Sequence, residues 1–248
     1  MLAGFNSTAV YYEVLSDNAA RLEREGPFLR ECLKHAPGVR VVDLACGTGL
    51  HAEFFANLGA QVTAFDISQE MISHARTRRP HANIRYETGD MRDLQGGPWD
   101  LALCLGNSLS LLPAMDDIEK TFRSVIKALS PGGRFVFQVL NYAAEANRKP
   151  RYCVDAKRLD GADVVALKSL VPRGDHTLLS LAFYALGGST PTSVSESAVL
   201  LNLTIEQMTR CAAAVGFRNI AMYGGFDSSE YRPDTSSDII GILGKPPV

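Results

Sequence analysis

The residues with the clearest chemical potential lie between Val41 and His51, in VVDLACGTGLH. A short apolar run (Val39, Val41, Val42, Leu44) meets Gly47 and Gly49, and a helical pattern follows. That order reads as a buried strand, a tight glycine turn and a helix N-terminus. Glycine lets a backbone approach a ligand closely, and the free N–H groups of a first helical turn favour polar or anionic groups. The spacing Gly47-x-Gly49-x-x-Ala52 fits the nucleotide-binding fingerprint G-x-G-x-x-G/A. Beyond it, Asp66 closes a second apolar strand, Gln61 to Phe65. A carboxylate there can accept both hydroxyls of a ribose. Together these residues point to an adenosine-containing cofactor. Asp43, inside the first strand, speaks against a dinucleotide, because a carboxylate so close to the turn repels a pyrophosphate. Nor does a second strand–turn–helix offer another glycine turn of this kind.

VVDLACGTGLH followed by AFDIS, TGDMRDL and LSPGGRFVF resembles, in order and spacing, the motifs of class I S-adenosylmethionine (SAM) dependent methyltransferases, across residues 38 to 140. The resemblance implies that SAM is the cofactor and S-adenosylhomocysteine (SAH) the product. It sets Ala45, Cys46, Gly47 and Gly49 against the amino acid moiety of SAM. Asp66 would take the ribose, with Ile67 and Met71 flanking the adenine. Asp90 would hold the adenine amino group, with the Met91 N–H beside it, and Leu105 and Gly106 would border the cofactor.

Within that family, LGNSL at 105–109 is similar to the small-molecule N-methyltransferases of the glycine and sarcosine type. Asn141-Tyr142 resembles the Asn-Tyr pair that those enzymes place by the substrate. Asp17 followed by Arg21 resembles their N-terminal segment, in which an arginine pairs with the SAM carboxylate; Arg24 is an alternative. Arginine suits that role because its fork can meet a carboxylate bidentately. The chemistry implied is methyl transfer to an amine nitrogen, by proximity and orientation, with no obligate base. Asn107, Asn141, Tyr142 and either Tyr11 or Tyr12 would position the reactants, Tyr12 also touching the cofactor. A tyrosine oxygen can accept weak C–H hydrogen bonds from a methyl group. Tyr152, Arg173 and Tyr231 join Asn107, Asn141 and Tyr142 as expected substrate contacts. Tyr152, Phe183, Tyr184, Phe226 and Tyr231 are expected as apolar walls, and Arg151 or Arg173 would meet a substrate carboxylate. The chain departs from that branch at Ala143, where an acidic residue is common. An O- or C-methyltransferase of specialised metabolism and a non-catalytic SAM-binding protein remain open readings. An NAD-dependent dehydrogenase is disfavoured by Asp43 and by the third and fourth motifs.

Strands near 39–44, 61–65, 83–87, 99–105 and 133–140 alternate with helices near 50–58, 68–78 and 116–129. The pattern predicts an α/β, Rossmann-like, doubly wound sheet of seven mostly parallel strands, covered on both faces. Residues 1–37 read as an N-terminal helical cap, with a turn at Ser16-Asp17-Asn18 and a helix over 19–35. Residues 38–150 read as the SAM-binding core. Over 151–203, three alternating runs (163–167, 177–186 and 195–203) predict an antiparallel β insert that roofs the substrate. Residues 204–248 begin with the capping box Thr204-x-x-Gln207 and add a helix and two strands to the core sheet.

The 248 residues carry a net charge of −2, which gives no electrostatic footprint for nucleic acid. The clusters Arg76-Arg78-Arg79 and Arg148-Lys149-Arg151 read as solvated surface. No apolar run is long enough for a membrane span, and Met1-Leu2-Ala3-Gly4 lacks the features of a signal peptide. Five cysteines without a C-x-x-C pair suggest reduced thiols, a cytoplasmic setting and no metal site. The expected partner is a small-molecule substrate, with no membrane or nucleic acid and a possible homodimer. His51 is expected to build the wall behind the glycine turn, and His176 to lie in a meander turn.

Overall fold

A computed structural model of the chain describes residues 8–15, 18–159, 161–187 and 191–247. Met1 to Gly4, Ser16 and Asp17 lie outside the described residues.

Short apolar segments broken by glycine turns form the central sheet. Its strands are β1 (Arg40–Leu44), β2 (Gln61–Asp66), β3 (Ile84–Thr88), β4 (Trp99–Cys104) and β5 (Leu129–Leu140), with β10 (Arg218–Tyr223) and β11 (Asp238–Gly244) at the far edge. The spatial order is β10-β11-β5-β4-β1-β2-β3. β1 to β5 run parallel, whereas β11 is antiparallel to both β5 and β10. Strand β4 is buried along its whole length, as a parallel strand covered on both faces must be. The chain leaves β1 to build β2 and β3 on one side, then returns to build β4 on the other. The crevice beyond the carboxyl ends of β1 and β4 is therefore the topological switch point, where open α/β sheets bind ligands.

Alternate strand residues feed two cores. On one face Val42, Ala102, Phe135 and Phe137 pack against α4 (Met115–Ala128) and α5 (Ile205–Val215). On the other face Val41, Val62, Leu101 and Val136 pack against α1 (Asn18–Lys34), α2 (Leu50–Asn57) and α3 (Gln69–Arg78). Helix α5 starts with the expected capping box, Thr204 and Gln207 each bonding the other's backbone N–H.

A separate antiparallel sheet, β6-β7-β8-β9, follows β5: β6 (Arg151–Leu159), β7 (Ala162–Arg173), β8 (His176–Ala185) and β9 (Thr192–Leu201). The three runs visible in the sequence are β7, β8 and β9. Strand β6 is an addition to that reading. It is an edge strand whose apolar alternates, Tyr152 and Val154, lie exposed, so its pattern marks no buried face. The inner face of this sheet, with Val164, Ala166, Leu181 and Phe183, covers a 3₁₀ helix, Ala9–Leu15, whose Val14 is buried. Tyr11 stacks on Phe183, ring centroids 5.9 Å apart.

Candidate active site

A cavity of about 660 Å³ opens at the switch point, between the ends of β1, β2 and β4 and the inner face of the second sheet. Its floor is the glycine turn. Ala45 and Gly47 both have positive φ (54°), and Gly47 has nothing within 4 Å of where a Cβ would stand, so its backbone faces open space. The turn is held from several sides. The Cys46 N–H donates to the Phe65 carbonyl (2.9 Å), and the Gly49 N–H to the Cys46 carbonyl (3.0 Å). Gly49 (φ 82°) leaves room for Tyr86, whose hydroxyl lies 2.7 Å from a notional Cβ. The N-terminus of α2 follows directly.

Asp66 ends β2 at the cavity. Its Oδ2 accepts the Gly47 N–H (2.9 Å) and its Oδ1 the Ser68 N–H (2.9 Å). Burial raises its pKa against the pull of these bonds. Ser68 caps α3 by accepting the Met71 N–H, which fixes Met71 beside the half-exposed Ile67 on one wall. Asp90 and Met91 border the same end, but the Asp90 carboxylate is gripped by the Arg92 guanidinium at 2.6–3.0 Å and also accepts the Arg92 N–H. Arg92 in turn reaches Asp117. Asp43 is 1% exposed. It accepts the Ala52 N–H, yet its Oδ2 has no partner among the described residues. Burial, with Asp66 nearby, pushes its pKa up to about 7, against the pull of Arg21 and the Ala52 N–H.

Arg21 comes to the cavity from α1, one guanidinium nitrogen lying 3.3 Å from where a Cβ on Gly106 would be. Glu25 anchors it. This carboxylate is 2% exposed and accepts from Arg21 (3.0 Å), Arg24 (3.0 Å) and His51 Nε2 (2.8 Å). Burial opposes ionisation, but His51 and Arg21 outweigh it and hold the Glu25 carboxyl at about 2. Burial pushes the His51 pKa down against the pull of Glu25. Sequence reading placed His51 in the wall but missed Glu25, which carries no motif signal. Arg79 was also missed. It is a clamp rather than solvated surface, bonding the Thr48 carbonyl (3.0 Å), Glu53 (2.6 Å) and Glu13 of the 3₁₀ helix (2.7 Å). Tyr12 of that helix lines the cavity; burial raises its pKa, Arg21 lowers it and Asp66 raises it.

The far half of the cavity begins at Leu105, Gly106 and Asn107. Asn107 is held through both ends of its amide, with one Nδ2 hydrogen uncommitted among the described residues. Its Nδ2 donates to the Tyr142 hydroxyl (2.8 Å), and its Oδ1 accepts the Leu140 N–H (2.8 Å) and the Ser110 hydroxyl (3.0 Å). Several expected contacts are not brought to the cavity wall. Asn141 is buried behind it, donating to the Pro233 and Ser236 carbonyls and accepting the Tyr231 hydroxyl (3.0 Å). Asn141 and Tyr231 thus tie the loop before β11 to the end of β5. Tyr142 supports Asn107, and Tyr11 packs on Phe183. Tyr152 is 74% exposed on the outer face of the second sheet, and Tyr184 is exposed too. Arg173 pairs in register with His176 beside the β7–β8 turn, away from the cavity. Of the expected aromatic walls only Phe226 lines it; Leu170, Leu179, Leu181 and Leu200 supply the rest, with Arg151 and Lys168. Among the described residues no cluster of His, Cys, Asp or Glu is placed to hold a metal ion, and no helix is long and apolar enough to cross a membrane.

Residues 41–133 match a family model described as a methyltransferase domain. Over 144 residues the chain is 33% identical to a ubiquinone biosynthesis O-methyltransferase of Xanthomonas oryzae pv. oryzae, covering 56% of this chain and 54% of that protein. The chain thus spans about half the length of the curated relatives it matches. Among solved structures, an S-adenosylmethionine-dependent methyltransferase from Clostridium acetobutylicum superposes with a TM-score of 0.80 at 20% identity, over 97% of this chain and 98% of that one. The sugar N-methyltransferase KedS8 from a Streptoalloteichus species also gives 0.80, at 19% identity, over 99% and 94%. The seven-stranded sheet with its added antiparallel sheet is the fold that these solved structures share with the chain.

Proposed function

We propose that the chain is a SAM-dependent methyltransferase that acts on a small molecule at an amine nitrogen, in the cytoplasm. The observation that carries this reading is the open backbone of Gly47 under the Asp66 carboxylate, in a cavity that continues into a leucine-walled chamber. The residues fit the cofactor. An ionised carboxylate offers about four acceptor positions. The Gly47, Ser68 and Ile67 N–H groups take up part of that capacity on Asp66, and the remainder is open to the ribose hydroxyls. Ile67 and Met71 would sandwich the adenine, and Asp90 would take its amino group once Arg92 yields one of its four contacts to that carboxylate. The Ala45–Gly49 turn and Arg21 would meet the amino acid moiety, with Glu25 keeping Arg21 in place. SAM supplies an electrophilic methyl group on a sulfonium.

The chain's task is then to align a neutral nucleophile and to exclude water. Asn107, held by Tyr142 and the end of β5, would fix the acceptor, with Tyr12 closing the cofactor side. An amine deprotonates without a dedicated base, and the cavity's histidine, His51, is committed to Glu25. Both facts favour nitrogen, as does the likeness of LGNSL, which carries Asn107, to glycine and sarcosine N-methyltransferases. The solved neighbour KedS8 is a sugar N-methyltransferase, whereas the curated relative methylates oxygen, so the acceptor panel must hold both amines and phenols.

Calorimetry against SAM, SAH and NAD tests the cofactor, and methyl transfer from labelled SAM to the panel tests the reaction. Micromolar SAM and SAH binding with NAD silent, and label entering amines, is the expected result. Binding of NAD alone would refute the reading. SAM binding with no turnover on any acceptor would favour a non-catalytic binding protein.

A further inference from the structure

We propose that the acceptor molecule carries an anionic group on an aliphatic body, and that Lys168 and Arg151 bind the anion. This rests on reading the other end of the cavity as the cofactor site. Alternation along β7 turns Val164, Ala166, Lys168 and Leu170 to the covered face, and Lys168 is the charged residue in that row. The ladder sets Lys168 beside Leu181 of β8, and Leu170 beside Arg151 of β6 and Leu179 of β8. Arg151 and Lys168 are therefore diagonal neighbours on one face, within reach of a single small group.

Both line the cavity, and neither forms an ion pair or side-chain hydrogen bond among the described residues. The carboxylates on the same face are turned to other partners: Asp155 accepts the Ala156 N–H, and Glu196 accepts the Thr8 hydroxyl (2.6 Å). Lys168 instead feels Arg151 and Arg21; burial and these two charges all lower its pKa, with Cys153 opposing. Two diagonal cations in a partly dehydrated chamber repel each other, and a bound anion converts that repulsion into attraction. The rest of the chamber is Leu170, Leu179, Leu181 and Leu200, which offers an aliphatic chain or ring its surface. A compact polar acceptor such as glycine would leave those leucines uncovered. No sequence signal singled out Lys168, because its direction depends on the register of the meander.

The test is calorimetry of SAH-saturated protein with octanoate, octyl phosphate, octanol and octylamine. Octanoate or octyl phosphate is expected to bind at least about tenfold more tightly than octanol or octylamine. The tighter of the two names the anion as a carboxylate or a phosphate. Lys168→Met and Arg151→Met should each weaken that binding at least about tenfold while leaving SAH affinity unchanged. Arg151 is exposed on an edge strand, so its variant reads the site even where Lys168→Met disturbs folding. Equal binding of octanoate and octanol would overturn the proposal, as would undiminished octanoate binding in both variants. Loss of SAH affinity in both would also overturn it, since the cations would then serve the cofactor. If SAH does not bind the unaltered protein, the functional reading fails. The same titrations without SAH then decide the anion site: octanoate binding lost in both variants upholds it, and no preference for the anion refutes it.

Discussion

Glu25→Gln isolates the charge at the centre of the Arg21–Arg24–His51 cluster while keeping the shape of the side chain. The carboxyl is held from its ordinary 4.5 down to about 2, although burial pushes the other way. At about 1.4 kcal/mol for each tenfold change in proton affinity, the ionised form contributes about 3 kcal/mol to folding. Solvent screening takes little from this figure, because Glu25 is 2% exposed. The sign follows from the lowered pKa. The contribution is complete above the unfolded value of 4.5 and is lost as pH falls through about 2. Gln mimics the protonated carboxyl, so the gap between the native protein and the variant should be about 3 kcal/mol at pH 7 and about half that at pH 3. Urea unfolding at pH 7, 5 and 3, read as midpoint times slope, measures the gap. A gap of the same size at pH 3 and pH 7 would refute the electrostatic reasoning, because the loss would then come from packing. A gap below about 1 kcal/mol at pH 7 would show that Arg21 and Arg24 do not depend on Glu25.

Asp66→Asn should weaken SAH binding by about 1–3 kcal/mol, since a charge-assisted acceptor for the ribose is lost; an unchanged dissociation constant by calorimetry would take the ribose elsewhere. Asp43→Asn should gain on the native protein as pH rises. The raised Asp43 pKa, up to about 7 through burial, means that the native protein's stability from this group is complete below about 4 and is lost as pH rises through 7. The melting-temperature difference between variant and native protein should therefore shift towards the variant between pH 5 and pH 8, and a pH-independent difference would count against it. Gly49→Ala should cost about 2–4 kcal/mol, from a left-handed φ and from a Cβ driven into the Tyr86 hydroxyl. Chemical denaturation checks this, and near-native stability would mean that Tyr86 swings away freely.

The sequence by itself determined the parts that are local. A buried strand, a glycine turn and a helix N-terminus are consecutive residues whose backbone angles follow from side-chain type, so Gly47, Gly49 and Asp66 were legible with their geometry. The strand–helix alternation made the doubly wound sheet legible for the same reason, because burial on both faces demands unbroken apolar runs. Tertiary structure alone decided which side chains meet across elements. Glu25 and His51 lie on different helices and carry no shared motif; only the packing of α1 against α2 joins them at 2.8 Å. Arg79 reads as surface charge until the 3₁₀ helix brings Glu13 to it. Asn141 and Tyr231 find each other behind the cavity, rather than the substrate in it, because the loop before β11 closes over the end of β5. In the second sheet the apolar side of the edge strand β6, with Tyr152 and Val154, faces solvent, so its pattern does not mark the core. A shift of one residue in the β7–β8 pairing, with β6 following β7, would turn Lys168 to solvent and Tyr152 inward, so the lining of the chamber is a property of strand register that composition does not carry.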